Sequence, residues 1–199
     1  MTTELKEKKE IAANVFYALL TALNDIMGQD GKNSVLKYAR LDQYINQCIP
    51  QNLTPQSTID YNTFHALLES MFTLLGFGTS AILFEAGRKW LIYLMPFGLS
   101  LKEMIIKLEN WIGGKWSYTK EGDTEIVTVH ECPICFNFKS TTGKPLCHII
   151  SGALSKIKES ETGDRYEVIE DKCMALGHDC CEFKIIKKLK FNVNEFLKE

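Results

Sequence analysis

Soft donor side chains crowd the C-terminal part of this chain. Six of the seven cysteines and three of the four histidines fall between His130 and Cys181. The stretch runs through Cys132-Pro133-Ile134-Cys135, Cys147-His148 and Glu170-Asp171-Lys172-Cys173, and ends Gly177-His178-Asp179-Cys180-Cys181. Thiolates and imidazoles this dense point to a zinc site before anything else. Seven cysteines, an odd number, fit poorly with a disulfide framework.

One arrangement takes Cys147, Glu170, Cys173 and Cys181 as ligands. Cys147 opens an expected helix, where the positive end of the helix dipole favours thiolate over thiol. Glu170 and Cys173 stand at a strand end that turns at Gly177, and Cys181 enters the next strand. Four protein ligands make a closed, structural kind of zinc site. Other readings stay open on the residues alone. Cys180 can replace Cys181. Cys132 and Cys135 form a C-x2-C pair, which can complete a site with Cys173 and Cys180, act as a reversible disulfide pair that senses redox state, or be two buried loop cysteines. Cys48 reads as core, and His148 and His178 as exposed or hydrogen-bonded rather than ligating.

The elements that must position these donors follow from hydrophobic period. Residues 5–27 carry Ile11, Val15, Phe16, Leu19, Leu20, Leu23 and Ile26 at helical spacing. Gly28 to Gly31 reads as a turn, and a second helix is expected over 34–49, stopping before Pro50. Residues 50–58 read as a loop and 60–75 as a third helix. Gly76 to Ser80 is a tight reversal into a helix over 80–95 that is apolar on nearly every side, as buried helices are. Another helix spans 100–112. Beyond Gly113-Gly114 the period changes to that of strands. Residues 116–118 and 125–129 form a hairpin, 147–159 a helix, and 166–169 and 182–186 two more strands. A short helix at 193–197 closes the chain. The order predicts an α+β fold, a four-stranded antiparallel sheet packed with helices. It is read as one domain over 1–199, with a helical half at about 5–112 and a sheet and metal half at about 113–199.

Composition bounds the function. Apolar residues make up 45% and charged residues 24%, ordinary for a soluble globular protein. A net charge of -2 and a pI near 6.1 argue against a nucleic-acid binder that works by counterion release. The basic run Lys184, Lys187, Lys188, Lys190 reads as a solvated strand end. The charged N-terminus lacks the apolar segment of a signal peptide, and no apolar run reaches the roughly 20 residues of a membrane span. The expectation is a cytoplasmic protein with reduced thiols.

The pattern Cys147-x4-Gly152, then Glu170-x2-Cys173-x3-Gly177-x3-Cys181-x-Phe183, resembles the 4-vinyl reductase domain family. Gly76-x-Gly78 and Ala86-Gly87-Arg88 agree with it, so the resemblance covers about residues 10–187. The family includes ligand-sensing domains of phenol-responsive activators and stand-alone archaeal proteins, and shares its fold with core subunits of the TRAPP vesicle-tethering complexes. The resemblance implies zinc on Cys147, Glu170, Cys173 and Cys181, and beside it a pocket for a small hydrophobic ligand. Phe72, Phe84, Trp90, Tyr93, Trp111 and Trp116, with Phe77, Phe97, Phe136 and Phe138, stand where such a pocket would be. Taken alone, this set reads as core. The pocket His and Trp of the phenol sensors have no counterpart among His65, His130, His148 and His178, so phenol itself is not implied. Arg88 either meets a polar end of the ligand or pairs with Glu85 or another acid, and the pair is the preferred reading.

Three functions follow. The first is a zinc-containing binding or sensor module for a small hydrophobic ligand, acting through a homodimer or a protein partner. The second is a component of an enzyme that reduces a vinyl group on a tetrapyrrole. The sequence has no G-x-G-x-x-G, P-loop or serine elbow, and zinc has no redox chemistry. The third is an assembly subunit like those of the tethering complexes. Some of those hold an acyl chain on a cysteine before the central helix, where residues 76–80 here have none.

Overall fold

In the computed structural model, which describes residues 10–47, 50–75, 80–95 and 98–188, a helical half and a sheet half share one buried core drawn from Ile11 through Ile185. A short strand β1 (Glu10–Ala12) leads into α1 (Ala13–Tyr38) and pairs antiparallel with β2 (Thr58–Asp60), Ile11 facing Ile59. Then come α2 (Tyr61–Leu75), α3 (Ser80–Leu94) and α4 (Leu101–Ile112). The second half holds β3 (Lys115–Glu121), β4 (Thr124–His130), α5 (His148–Thr162), β5 (Tyr166–Lys172) and β6 (Cys180–Lys187). Strands β3 to β6 form one antiparallel sheet in the order β3-β4-β6-β5. The α+β fold with a four-stranded antiparallel sheet is the one the sequence predicts.

Several boundaries differ from expectation for local reasons. The expected turn at Gly28 to Gly31 is a single kink. Gly28 alone leaves helical geometry (φ 73°), and the helix resumes and runs to Tyr38 rather than to residue 49. Leu41 to Tyr44 instead enter a short 3-10 turn at Asp42–Tyr44. The β1–β2 pair escaped the periodicity because three-residue strands are too short to show alternation. Helix α3 is not buried all round. Leu83, Ala86, Gly87, Trp90, Leu91 and Leu94 face the core, while Ile92 and Tyr93 are exposed. The expected helix at 193–197, Cys48, Phe77, Phe97, Lys190 and the Gly76-x-Gly78 motif lie outside the described residues.

Helix α4 starts on a capping box. Ser100 Oγ accepts from the Glu103 backbone N–H, and the Glu103 carboxylate accepts from the Ser100 N–H (2.8 Å). Helix α3 is tied to α1 by the Trp90 indole N–H, which donates to the Val15 carbonyl (3.0 Å). It is tied to α5 by Arg88, which donates to Glu159 (2.8 Å) and Ser155 (3.2 Å) and stands 3.7 Å from Glu85. The acid-pair reading of Arg88 therefore holds.

The α3–α5 crossing needs two glycines. A Cβ on Gly152 would lie 1.9 Å from the Phe84 carbonyl oxygen, and a Cβ on Gly87 would lie 1.9 Å from that of Ile149. Backbone meets backbone there, so a methyl group has no flexible neighbour to push aside. This crossing sets the start of α5, and with it Cys147. Gly152→Ala is expected to cost about 3 kcal/mol or more, the upper end of overpacking penalties. Urea unfolding measures it, and a loss under about 0.5 kcal/mol would mean that the helices cross elsewhere.

Candidate metal centre

Each donor reaches the centre from a different element. On the inner face of the sheet, Val129 of β4 pairs with Cys181 of β6, and Val127 with Phe183. Successive strand residues face opposite sides. Cys181 thus points into the core, and Cys180 belongs to the other face. Glu170 of β5 pairs with Phe183, and the register shifts between Glu170 and Lys172. That irregularity ends the strand and leads through Cys173 into the 3-10 turn Met174–Leu176. Cys147 is the N-cap residue of α5. Its backbone N–H donates to Glu170 Oε2 (2.9 Å), which locks the helix start onto the strand end.

The donor atoms of Cys147, Glu170, Cys173 and Cys181 all lie within 4.8 Å of one another. A second set, Cys132, Cys135, Cys147 and Cys181, meets the same limit. Cys132 Sγ is 3.6 Å from Cys147 Sγ, Cys135 Sγ is 3.3 Å from Cys181 Sγ, and Cys147 Sγ is 3.7 Å from Cys181 Sγ. All five cysteines are buried to within 1% of full burial. Cys180 is in neither set, so among the described residues the alternative site on Cys132, Cys135, Cys173 and Cys180 does not assemble.

The loop that carries Cys132 and Cys135 is held from several sides. Its residues Glu131 (φ 54°) and Asn137 (φ 62°) are left-handed, turning the chain on either side of the C-x2-C pair. Tyr61 Oη donates to the Pro133 carbonyl (3.0 Å), and His65 Nε2–H donates to the Phe136 carbonyl (2.9 Å). The His65 ring stacks on Phe138 at 4.3 Å. The Cys132 N–H points at Met174 Sδ (3.2 Å), and the Met174 N–H at Cys181 Sγ (3.4 Å). Tyr61, His65 and Met174 support the centre, yet nothing in their spacing marks them. His178 is exposed, and its Nδ1 accepts from the Cys173 N–H (3.2 Å).

The electrostatics show what this set lacks. Burial raises the Cys147 thiol well above its ordinary value, overriding the pull of the helix dipole expected there. The thiols of Cys135, Cys147 and Cys181 donate to Cys173 and hold it down as the thiolate. Cys135 is raised, first by its hydrogen bond with Cys132. For Cys181 the Cys132 hydrogen bond pulls down, but Cys135, Cys173 and burial leave it raised. Burial, then the Cys173 thiolate, pushes the Glu170 carboxyl up to about 9. Protein alone therefore supports one shared negative charge among these donors. Glu170 Oε1 is buried and has no hydrogen-bond partner. Thiol donors together with an orphaned carboxylate oxygen fit a thiophilic divalent ion such as zinc.

The aromatic residues expected to line a pocket are dispersed. Trp90 is core and its N–H is spent on Val15. Tyr93 is exposed and donates to Asp25. The Trp116 N–H donates to the Gly113 carbonyl (2.9 Å), and Trp111 lies under Lys107. Phe84 gives its carbonyl to the Gly152 crossing. Phe72 does line a cleft, of about 460 Å³, together with Glu69, Phe138, Lys139, Thr142 and Leu146. Phe72 and Phe138 meet edge to face at 5.0 Å.

Residues 126–187 match the family model for the 4-vinyl reductase domain. No curated protein sequence matches the chain. Among solved structures, a vinyl-4-reductase family protein from Methanocaldococcus jannaschii is similar at TM-score 0.51 and 16% identity, over 78% of this chain and 93% of that one. A trafficking protein particle complex subunit 3 from Naegleria fowleri, covalently bound to palmitic acid, gives TM-score 0.51 and 18% identity over 65% of this chain and 93% of that one. An H-NOX protein from S. oneidensis in its Fe(II)NO ligation state gives TM-score 0.57 and 10% identity, over 90% of this chain and 100% of that one. The resemblance to the 4-vinyl reductase domain family and the shared fold with a tethering subunit hold. The H-NOX likeness is one the sequence did not bring to light.

Tyr61→Phe keeps the ring and removes one hydrogen bond to the cysteine loop. It is expected to lower stability by about 0.5–1.5 kcal/mol. His65→Ala loses the stack on Phe138 as well and is expected to cost more. Equal costs in chemical unfolding would show that the stack contributes nothing.

Proposed function

We propose that this protein is a small-molecule-binding sensor module whose cysteine-rich centre holds zinc, and that the zinc braces one wall of the ligand cleft. Cys147, Glu170, Cys173 and Cys181 would hold the ion. Bound there, zinc supplies a closed, redox-inert structural link between the start of α5 and the β5–β6 connection. The family-model match supports the reading, as does a fold shared with proteins seen with ligands. One of those is bound to palmitic acid, and another is an H-NOX domain described as oxygen binding.

One observation carries the proposal. The segment that walls the cleft, from Asn137 to Leu146, lies between two donors of the cluster, Cys135 and Cys147. Phe138 faces the cleft and is stacked on His65, which holds the Cys135 loop. A small hydrophobic ligand against Phe72 and Phe138 would press on a segment tethered at both ends by the metal centre. Conversely, an ion in the centre would keep the wall in place. The helical and sheet halves act as one domain in this reading, supported by their common core. A reducing compartment, the cytoplasm, keeps the thiols available. Output passes through a homodimer or a protein partner, for which the exposed Ile92 of α3 and Ile106 of α4 offer apolar contacts. No helix of the described residues is long and apolar enough to cross a membrane.

Native mass spectrometry of the purified full chain tests the metal and ligand together. Zinc is expected to be retained, and its removal by a strong chelator is expected to lower the thermal midpoint by about 10 °C or more, on the order of the folding energy that structural zinc contributes. An unchanged midpoint after verified metal removal would defeat the bracing role. Phe138→Ala is expected to weaken binding of an aromatic probe such as 8-anilinonaphthalene sulfonate about tenfold, the loss of a well-packed ring. Undiminished probe affinity would move the ligand site elsewhere.

A further inference from the structure

The C-x2-C pair remains unused by a four-ligand zinc site, although it lies against it. Its two sulfurs are buried to 0% and 1% exposure and touch Cys147 and Cys181. Two core cysteines packed for volume alone would have apolar neighbours. These have thiols. The loop that bears them is turned by two left-handed residues and pinned by Tyr61 and His65, so both sulfurs are preorganised at the centre.

The donors divide in a particular way. There are six in all, and they form two sets of four only if Cys147 and Cys181 are counted in both. In a tetrahedral zinc–thiolate site, with bonds of about 2.3 Å, two sulfurs stand about 3.8 Å apart. The shared Cys147–Cys181 edge is 3.7 Å, and the Cys132–Cys147 edge is 3.6 Å. Thiolates that hold an iron–sulfur cluster sit on separate irons and stand further apart than one such edge. The spacing here is that of ligands on a common ion. Charge points the same way. A single divalent ion would leave the four donors on the far side of each shared edge unevenly served: either Cys132 and Cys135 stay protonated beside it, or Glu170 and Cys173 lose their partner. Two ions complete both sets.

We propose that the centre holds two divalent thiophilic ions, one on Cys132, Cys135, Cys147 and Cys181 and the other on Cys147, Glu170, Cys173 and Cys181, with the sulfurs of Cys147 and Cys181 bridging them. This rests on the metal reading above and extends it, since the second ion anchors the cysteine loop that walls the cleft. The loop then joins the centre at both ends, through Cys135 and through Cys147. The ions assemble from free metal as their donors give up protons, with no change of oxidation state.

The test is metal stoichiometry on the full chain, purified under reducing conditions with zinc supplied. Two ions per chain are expected in native mass spectra, and one in the Cys132→Ser/Cys135→Ser double variant. Glu170→Gln/Cys173→Ser is also expected to keep one, on the complementary set. Cadmium-113 replacement of zinc in the unmodified chain gives a readout that needs no variant to fold. Two signals, split by coupling through shared sulfur, are expected. One ion per chain, unaffected by loss of Cys132 and Cys135, overturns the second ion and leaves the single-zinc reading intact. Two signals without mutual coupling overturn the bridging. A metal-free protein with its thiols intact or in disulfides overturns both readings at once.

Discussion

Five thiols and a carboxylate meet inside a core where their nearest polar partners are one another. Burial makes each of them costly to ionise, and proximity makes it costlier still for a second to follow the first. Cys173 takes the charge, Cys147 is pushed up, and Glu170 rises to about 9 with one oxygen unpartnered. Such a set is poorly served by protein alone. Its stability depends on a positive charge from outside the cluster, because among the described residues no lysine or arginine is one of the groups that chiefly shift these donors.

The rest of the architecture delivers those groups to one place. The α3–α5 crossing brings backbones into contact through Gly87 and Gly152, five residues beyond Cys147 on α5. The sheet register sets Cys181 opposite Val129 and turns Glu170 inward. The irregularity after Glu170 frees Cys173 from the ladder. A shift of one residue in β6 would exchange Cys181 for Cys180 and empty the site. Two rigid contacts, one helix to helix and one strand to strand, thus aim the donors.

The cleft beside Phe72 and Phe138 shares its wall with this centre. A wall tethered at both ends responds to events on either side of it. That gives a physical route by which ligand and metal influence each other over a short stretch of chain, with no rearrangement of the helices. The stacked His65–Phe138 pair lies on that route, between the cleft and the loop that carries Cys132 and Cys135.

Reading order along the chain gave the donor types, the strand that ends at Glu170, the sheet and most helices, because these rest on local period and turn residues. Cys147, Glu170, Cys173 and Cys181 were legible as a group from their spacing around a hairpin. Tertiary contact decided the rest. Whether Cys132 joins Cys147, and Cys135 joins Cys181, depends on how a loop folds over a sheet edge, across separations of 15 and 46 residues. Nothing local encodes that. The pocket aromatics dispersed for the same reason: helical spacing tells which residues are apolar, but only packing tells that Trp90 faces α1 while Tyr93, three positions on, faces solvent. Local sequence specifies side-chain chemistry and backbone period, and three-dimensional packing alone chooses which of those chemistries come within bonding distance.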